Sequence, residues 1–331
     1  MSEATTTRRT TAEDVAREAG VSRATVSFVL NDTPGQTIPE GTRLRVRGAA
    51  ERLGYRPNRA ARALASGRSR IVLLVLPDWP IEYLLRDYLD EASLVLGRAG
   101  YALVPYTHQP GNQAPPLWET LSPDLVLGPI PFSPTDIAAM HASGVRKIYP
   151  DPGQGSLPDI SLTISAGPNL QVDHLHTRGH RRLVYAAFTD PRTTGLATAR
   201  HRAARTRAQA LGLTPPDLAT IDYRDDSVDH MVRRWHDTAI TGVIAYNDEV
   251  AATVTGAAVR LGLRLPEDLA VVGHDDTPIA TMFAPRLSTV RFDTSTLGQR
   301  FAEFALHLLD GRPLTADEPL PGPALVHRET S

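Results

Sequence analysis

The 331-residue sequence contains no cysteine, which excludes disulfides, thiolate metal ligands and a cysteine nucleophile. Lysine is nearly absent as well: Lys147 stands alone, and arginine carries the rest of the basic charge. Long hydrophobic runs are missing. The longest aliphatic stretch, residues 71–76, is far short of the ~20 apolar residues of a membrane helix. Arg8 and Arg9 are followed by no apolar segment, so no secretory signal is expected and a cytoplasmic location is. Catalytic signatures are lacking too. There is no Gly-x-x-x-x-Gly-Lys phosphate loop and no Gly-x-Ser-x-Gly elbow. His176 and His180 have i, i+4 spacing, but the glutamate of a metalloprotease helix does not follow His176. Asp275 and Asp276 have no third ligand nearby in sequence. No enzyme, no cofactor and no metal are expected.

What the chain does have is a globular balance, 41% hydrophobic and 22% charged, with length for two or three domains. Its net charge of −2 hides an asymmetry. Residues 1–70 hold thirteen arginines against seven acidic residues, a charge of +6, which leaves −8 on the remainder. A small basic head on an acidic body suggests that the head alone meets a polyanion.

The head is helical in pattern. Thr11 to Asp14 outlines a capping box, with aspartate in place of the usual Glu/Gln, and opens an alanine-rich helix ending at Gly20. Ser22 caps a second short helix whose Val26, Val29 and Leu30 share an apolar face. A third runs from about Pro39 to Leu53, offering Leu44, Val46, Ala50 and Leu53 to a core. Two short helices joined by Gly20-Val21 are the outline of a helix-turn-helix. Ser22, Arg23, Ala24, Ser27 and Phe28 are then the groove-facing candidates. Arg23 can read guanine through two hydrogen bonds, and Ala24 can touch a thymine methyl. The Ser22 and Thr25 hydroxyls suit phosphate oxygens. The competing reading is an ordinary three-helix bundle in which Ser22 is only a cap.

Beyond residue 70, short apolar strands alternate with helices. Residues 71–77, 101–106, 125–127, 145–149, 183–187, 243–245 and 269–272 read as buried strands. Helices read over 81–98, 167–178, 199–211 and 249–261, and the tail after Gly311 reads as irregular. This alternation predicts parallel sheets covered on both faces, and the number of units predicts two α/β subdomains. Asn247 and the His274-Asp275-Asp276 run fall just past strand ends, where open α/β sheets place ligands. Carboxylates and amides there suit hydroxyl-rich molecules. Asp276 is expected to cap the following turn, and Arg200, among Arg202, Arg205 and Arg207, also fits a solvated helix face.

The segments TTAEDVAREAGVSRATVSFVLN (10–31) and RLRVRGAAERLGYRPNRAARALASG (43–67) resemble the DNA-binding head and hinge of the lac-repressor (LacI/GalR) family. The resemblance implies a homodimeric transcriptional regulator, a repressor, on a near-palindromic double-stranded DNA operator. It carries DNA contacts to Thr11, Ser22, Arg23, Ala24, Thr25, Ser27, Phe28, Asn31, Tyr55, Asn58, Arg59 and Leu64. It implies a DNA-binding domain over 1–58, a hinge helix and linker over 59–69, and an effector-binding and dimerisation domain over 70–331. Leu64 falls on the family's wedge between central base pairs. Phe28 departs from the family's frequent second base-reading arginine, so it either touches a thymine methyl or extends the bundle's apolar face.

The body is similar to the family's effector domain, itself like periplasmic sugar-binding proteins: two doubly wound subdomains, with crossings near 163–166 and 290. GHRRLVYA (179–186), GVIAYNDEVA (242–251) and the run 262–291 follow its patterns. The matching positions imply a small-molecule effector, a sugar, held by Asp78, Trp79, Arg200, Asn247, Asp275 and Phe292. In the first half the usual loop after Pro77-Asp78 is replaced by Trp79 to Glu82. The alternative is therefore a ligand-independent repressor with a degenerate cleft. Four prolines between 313 and 323 preclude a continuous C-terminal helix, so a dimer is expected rather than a tetramer.

Overall fold

The computed structural model describes residues 10–31, 35–55, 68–78, 83–109, 114–151, 157–224, 227–312 and 320–331, the side chains of 158–163 excepted. The chain divides into two compact units, 1–69 and 70–331.

In the first unit, α1 (Ala12–Ala19), α2 (Arg23–Leu30) and α3 (Glu40–Arg52) close around a small core. Thr11 caps α1 through the expected box: its hydroxyl accepts the Asp14 N–H, and the Asp14 carboxylate accepts the Thr11 N–H at 2.9 Å. The helix stops at Gly20, whose φ of 64° is a left-handed conformation that a side chain would strain. Ser22 then caps α2 by accepting the Thr25 N–H at 3.1 Å. Val15, Ala16 and Ala19 of α1, Val26 and Val29 of α2, and Val46, Ala49 and Ala50 of α3 form the buried cluster. Leu44 differs from expectation. It is 62% exposed, because the α3 stripe facing α1 and α2 runs through Val46, Ala49 and Ala50 instead. On α2, burial of Val26 and Val29 leaves Ser22, Arg23, Ala24 and Ser27 exposed on the opposite side.

The second unit holds two parallel four-stranded sheets. In chain order it runs β1 (Ile71–Leu76), α4 (Tyr83–Arg98), β2 (Ala102–Thr107), α5 (Leu117–Leu121), β3 (Leu125–Leu127), α6 (Pro134–Ala142), β4 (Ile148–Tyr149) and α7 (Pro158–Thr177). It continues with β5 (Leu183–Phe188), α8 (Thr194–Ala210), β6 (Asp217–Ile221), α9 (Ser227–Asp237), β7 (Gly242–Ala245), α10 (Asp248–Arg260), β8 (Ala270–Val272) and α11 (Pro278–Met282). The chain ends with β9 (Thr289–Arg291), α12 (Thr294–Asp310) and β10 (Ala324–Val326). The sheet orders are β2-β1-β3-β4 and β6-β5-β7-β8. Both reverse direction beside their first strand, which opens a crevice at the strand carboxyl ends.

The strands are apolar along nearly their whole length, as parallel strands sandwiched by helices must be. The edge strand β6 is the exception. Its half-exposed Asp217-Leu-Ala-Thr-Ile pattern hides it from a search for buried runs. Helix α7 begins nine residues earlier than the sequence pattern predicts, and carries Pro168 inside. Leu157 before it packs in the first sheet's core, whereas Val172 and Leu175 pack in the second's. Phe292 and α12 return to the first core, with Phe301 against Tyr88 of α4 at 5.4 Å between ring centres. Within the tail, residues 324–326 form a strand rather than an irregular segment. Strand β10 pairs antiparallel with β9, and beyond it Val271 N–H donates to Thr330 O at 2.7 Å. No helix among the described residues is long and apolar enough to cross a membrane.

Candidate functional site

The carboxyl ends of β5, β7 and β8 gather an unusual amount of buried polarity. Arg200 comes from α8 and is 4% exposed, so it does not belong to a solvated helix face. Its Nη1 donates to Tyr246 O at 3.0 Å, its guanidinium lies 5.0 Å above the Tyr246 ring, and its Nη2 stands 3.8 Å from Asp275 Oδ1. Asp275 is equally buried, with φ at +97°, and its N–H donates to Val290 O at 2.8 Å. The same Oδ1 accepts a short hydrogen bond from His274 Nδ1. Burial and the Arg200 charge push the His274 imidazole below its ordinary value, so at neutral pH the ring is neutral and serves as a donor. Burial alone would raise the Asp275 carboxyl. The His274 and Arg200 contacts outweigh it and hold the group ionised, below the usual carboxylate range.

Two apolar contacts complete this floor. The His274 ring packs on Phe292 at 5.1 Å between centres. A Cβ on Gly167 of α7 would lie 2.2 Å from His274 Nε2 and 3.2 Å from Phe292 Cζ, so only glycine permits this approach. Four residues on, Gln171 Nε2 donates toward the carbonyls of Ala245, Val272 and Gly273, at 2.8 to 2.9 Å. The helix that links the two sheets is thereby bolted to the strand ends. Among the described atoms, His274 Nε2 and Gln171 Oε1 are buried without a hydrogen-bond partner.

The neighbouring carboxylates hold the frame. Asp248 is fully buried and accepts the Thr277 N–H at 2.6 Å and the Thr289 hydroxyl. Burial, the largest influence, raises its carboxyl to about 7. Asp276 does not cap the turn as expected. It bridges Arg291 and Arg328, the latter at 2.6 Å, which fastens the tail beside Asp275. Asn247 caps α10: its Oδ1 accepts the Val250 N–H at 2.9 Å, which commits the side-chain oxygen that the sequence assigns to a ligand. Asp78, at the end of β1, is exposed and lies close enough to Arg192 to contribute to that guanidinium's raised value, after the larger contribution of Asp190. Trp79 lies outside the described residues.

Arg200, Asp275 and Phe292 are thus gathered in one buried cluster, with Asn247 beside them as a cap and Asp78 across on the other sheet. Sequence reasoning did not single out His274, Tyr246, Gly167, Gln171 or Arg328 as parts of this cluster. Only the carboxyl-end position of His274 was a signal; the others are joined to it by contacts across dozens of residues. A cavity of about 750 Å³ opens against Phe188 at the end of β5, Tyr223, Arg260, Phe283 and Glu249, the last near enough to Asp275 to feel its charge.

In the head, Ser22 Oγ and Thr25 Oγ1 hydrogen-bond at 2.9 Å, and Asn31 Nδ2 donates to Ser27 Oγ at 3.1 Å. Thr11 is exposed with its hydroxyl in the capping box, and Tyr55 and Phe28 are half-buried. Asn58, Arg59 and Leu64 lie outside the described residues.

Residues 11–58 match the family model described as bacterial regulatory proteins, lacI family. Residues 172–331 match that of a periplasmic binding protein-like domain. The chain is 32% identical to the HTH-type transcriptional regulator GntR of Pseudomonas aeruginosa, over 98% of this chain and 97% of the relative. It is 30% identical to the HTH-type transcriptional regulator GalR of Escherichia coli, covering 97% and 95%. In fold it is similar to the lac repressor dimer bound to operator and an anti-inducer, with a TM-score of 0.76, 24% identity and coverage of 98% and 99%. It is also similar to the CelR–cellobiose complex, with a TM-score of 0.58, 24% identity and coverage of 98% and 100%.

Proposed function

The chain belongs to the lacI family of bacterial regulatory proteins, and from that premise we propose that it is a homodimeric repressor released from or locked onto its operator by a sugar. DNA-binding transcriptional regulation is the family's activity, and this chain shares it. The head uses α2 in the major groove. Arg23 reads guanine, Ala24 and Phe28 meet apolar base edges, and Ser22, Thr25, Ser27 and Asn31 hold the backbone. Thr11 and Tyr55 add backbone contacts, and Asn58, Arg59 and Leu64 form the hinge contacts. The chain works in the cytoplasm and carries no catalytic activity.

The observation that carries the effector reading is the buried Arg200–Asp275–His274 cluster at the carboxyl ends of the second sheet. Guanidinium and carboxylate side by side offer donors and acceptors to vicinal hydroxyls, and Phe292 offers an apolar edge to a sugar face. By the family's matching positions, Asp78 and Trp79 are assigned to the same ligand. The relatives' names include a ribose operon repressor of Bacillus subtilis, 29% identical over 92% of this chain, and the CelR–cellobiose complex. Both fit a polyhydroxylated ligand. Self-association is supported by the exposed apolar side chains Tyr223 and Met282 on the second subdomain.

Selection of bound sequences from a random DNA pool by the full-length chain tests the dimeric reading. Two-fold protein symmetry predicts inverted half-sites about one helical turn apart, centre to centre. A single asymmetric half-site would overturn it.

A further inference from the structure

The cluster that this function leaves unused lies where the last turn of α7 meets the tail beyond β10. His174 and His327 hold their rings 5.6 Å apart, inclined at 52°. Both rings present the same atom to the same residue. His174 Nε2 lies 2.9 Å from Ser331 Oγ, and His327 Nε2 hydrogen-bonds to the main-chain oxygen of Ser331. Ser331 is buried and held by its neighbour. Thr330 Oγ1 donates to Val271 O at 2.8 Å and accepts the Ser288 N–H at 2.9 Å. Two imidazole nitrogens and two oxygens of Ser331 are therefore brought together, delivered by separate parts of the chain and held beside the second sheet.

Two imidazoles bound through Nε2 to one tetrahedral ion at about 2.0–2.1 Å place their ring centres roughly 5 Å apart. The observed spacing is close to that. One ring suffices to tie down Ser331; a second ring presenting the same atom is what a chelate requires. We propose that His174, His327 and Ser331 form a binding site for one imidazole-preferring transition-metal dication of the zinc, nickel or copper class. The two Nε2 atoms are the nitrogen ligands, Ser331 supplies an oxygen, and water completes the shell.

Among the described residues no three or more His, Cys, Asp or Glu side chains are grouped to hold a metal, so the site has fewer ligands than a closed structural zinc site. Arg178, a like charge facing His174, opposes the ion. Binding takes the Nε2 lone pair of each ring, and the proton now on His327 Nε2 moves to Nδ1 or to water. The ion would clamp the tail to α7. The same tail carries Arg328, which holds Asp276 beside the effector aspartate.

The untagged full-length chain, stripped with a chelator, is titrated with ZnCl2 and NiCl2 beside His174→Gln and His327→Gln. The expected result is about one ion per chain at micromolar metal, with each variant at least ~10-fold weaker. Metal at about tenfold excess over the dissociation constant should raise the wild-type melting temperature by about 2–4 °C. Arg178→Gln should tighten binding severalfold. Should a glutamine variant fail to fold, Co2+ absorption of the wild-type complex reports imidazole coordination directly. No stoichiometric binding at about 100 µM free metal, variants that bind as the wild type does, or a Co2+ spectrum without imidazole ligation would overturn the site. In each of those cases the two histidines only anchor Ser331.

Discussion

Replacing Asp275 with alanine should destabilise the body by about 3–5 kcal/mol, because the change leaves the Arg200 charge buried without its carboxylate. It also strands the Nδ1–H of His274 in the same apolar floor. For a unit of this size the melting temperature should fall on the order of 10 °C. The pairing account makes a sharper demand on the double variant. Arg200→Met with Asp275→Ala removes both charges, so it should cost less than the Asp275 change alone. Thermal and urea unfolding of the three variants measure this. An Asp275→Ala protein within about 1 kcal/mol of wild type would show that the carboxylate faces solvent and that the cluster is not a closed network. Asp275→Asn is the gentler probe of function, since it keeps an acceptor for His274 while removing the charge that a sugar hydroxyl would meet.

Arg23→Ala should leave stability almost unchanged, because the residue is exposed at the start of α2 and contributes nothing to the head's core. Its effect falls on DNA. A bidentate contact to guanine is worth ~1–3 kcal/mol, and a two-fold complex contains it twice. Specific affinity should therefore drop by about 2–6 kcal/mol, at least ~30-fold, while affinity for random duplex stays nearly level. Gel-shift titrations on the selected operator and on scrambled DNA at one salt concentration read both numbers. Equal losses on the two would make Arg23 a phosphate contact.

How much of this was legible beforehand depends on how local each cause is. The Thr11–Asp14 box, the Ser22 cap and the Gly20 stop are decided within four residues, and each stands in the structure where its spacing predicts. The alternation of apolar strands with helices is local as well, and so the paired α/β architecture could be read. Leu44 could not be placed, because which stripe of α3 faces inward depends on where α1 and α2 sit. Strand β6 escaped because an edge strand need not be apolar on both faces. Strand β10 escaped because its pairing comes entirely from β9.

The site divides the same way. Asn247 reads as a ligand contact, whereas the structure shows it capping α10, a role permitted by its place before Asp248 and Glu249 but not drawn from the sequence. The partners of Asp276 are Arg291 and Arg328, 15 and 52 residues away, so its role as an ion-pair centre had no local sign. Arg200 is singled out by the family resemblance alone, since its neighbours fit a solvated helix face equally well, and the Tyr246 and Asp275 contacts separate it from them.

The central claim joins the two units: a ligand at the Arg200–Asp275 cluster changes how tightly the head holds its operator. A ligand can do so only by its differential affinity for two arrangements of the body, and couplings of about 1–3 kcal/mol, or 5–150-fold, are typical. The direct measurement is the operator affinity of the full-length chain, titrated with a panel of mono- and disaccharides whose binding is followed in parallel by melting temperature. The account predicts that a sugar which raises the melting temperature also shifts operator affinity by at least about fivefold, and that Asp275→Asn abolishes both responses. Operator affinity that stays level across the panel, with or without sugars that bind, would contradict it.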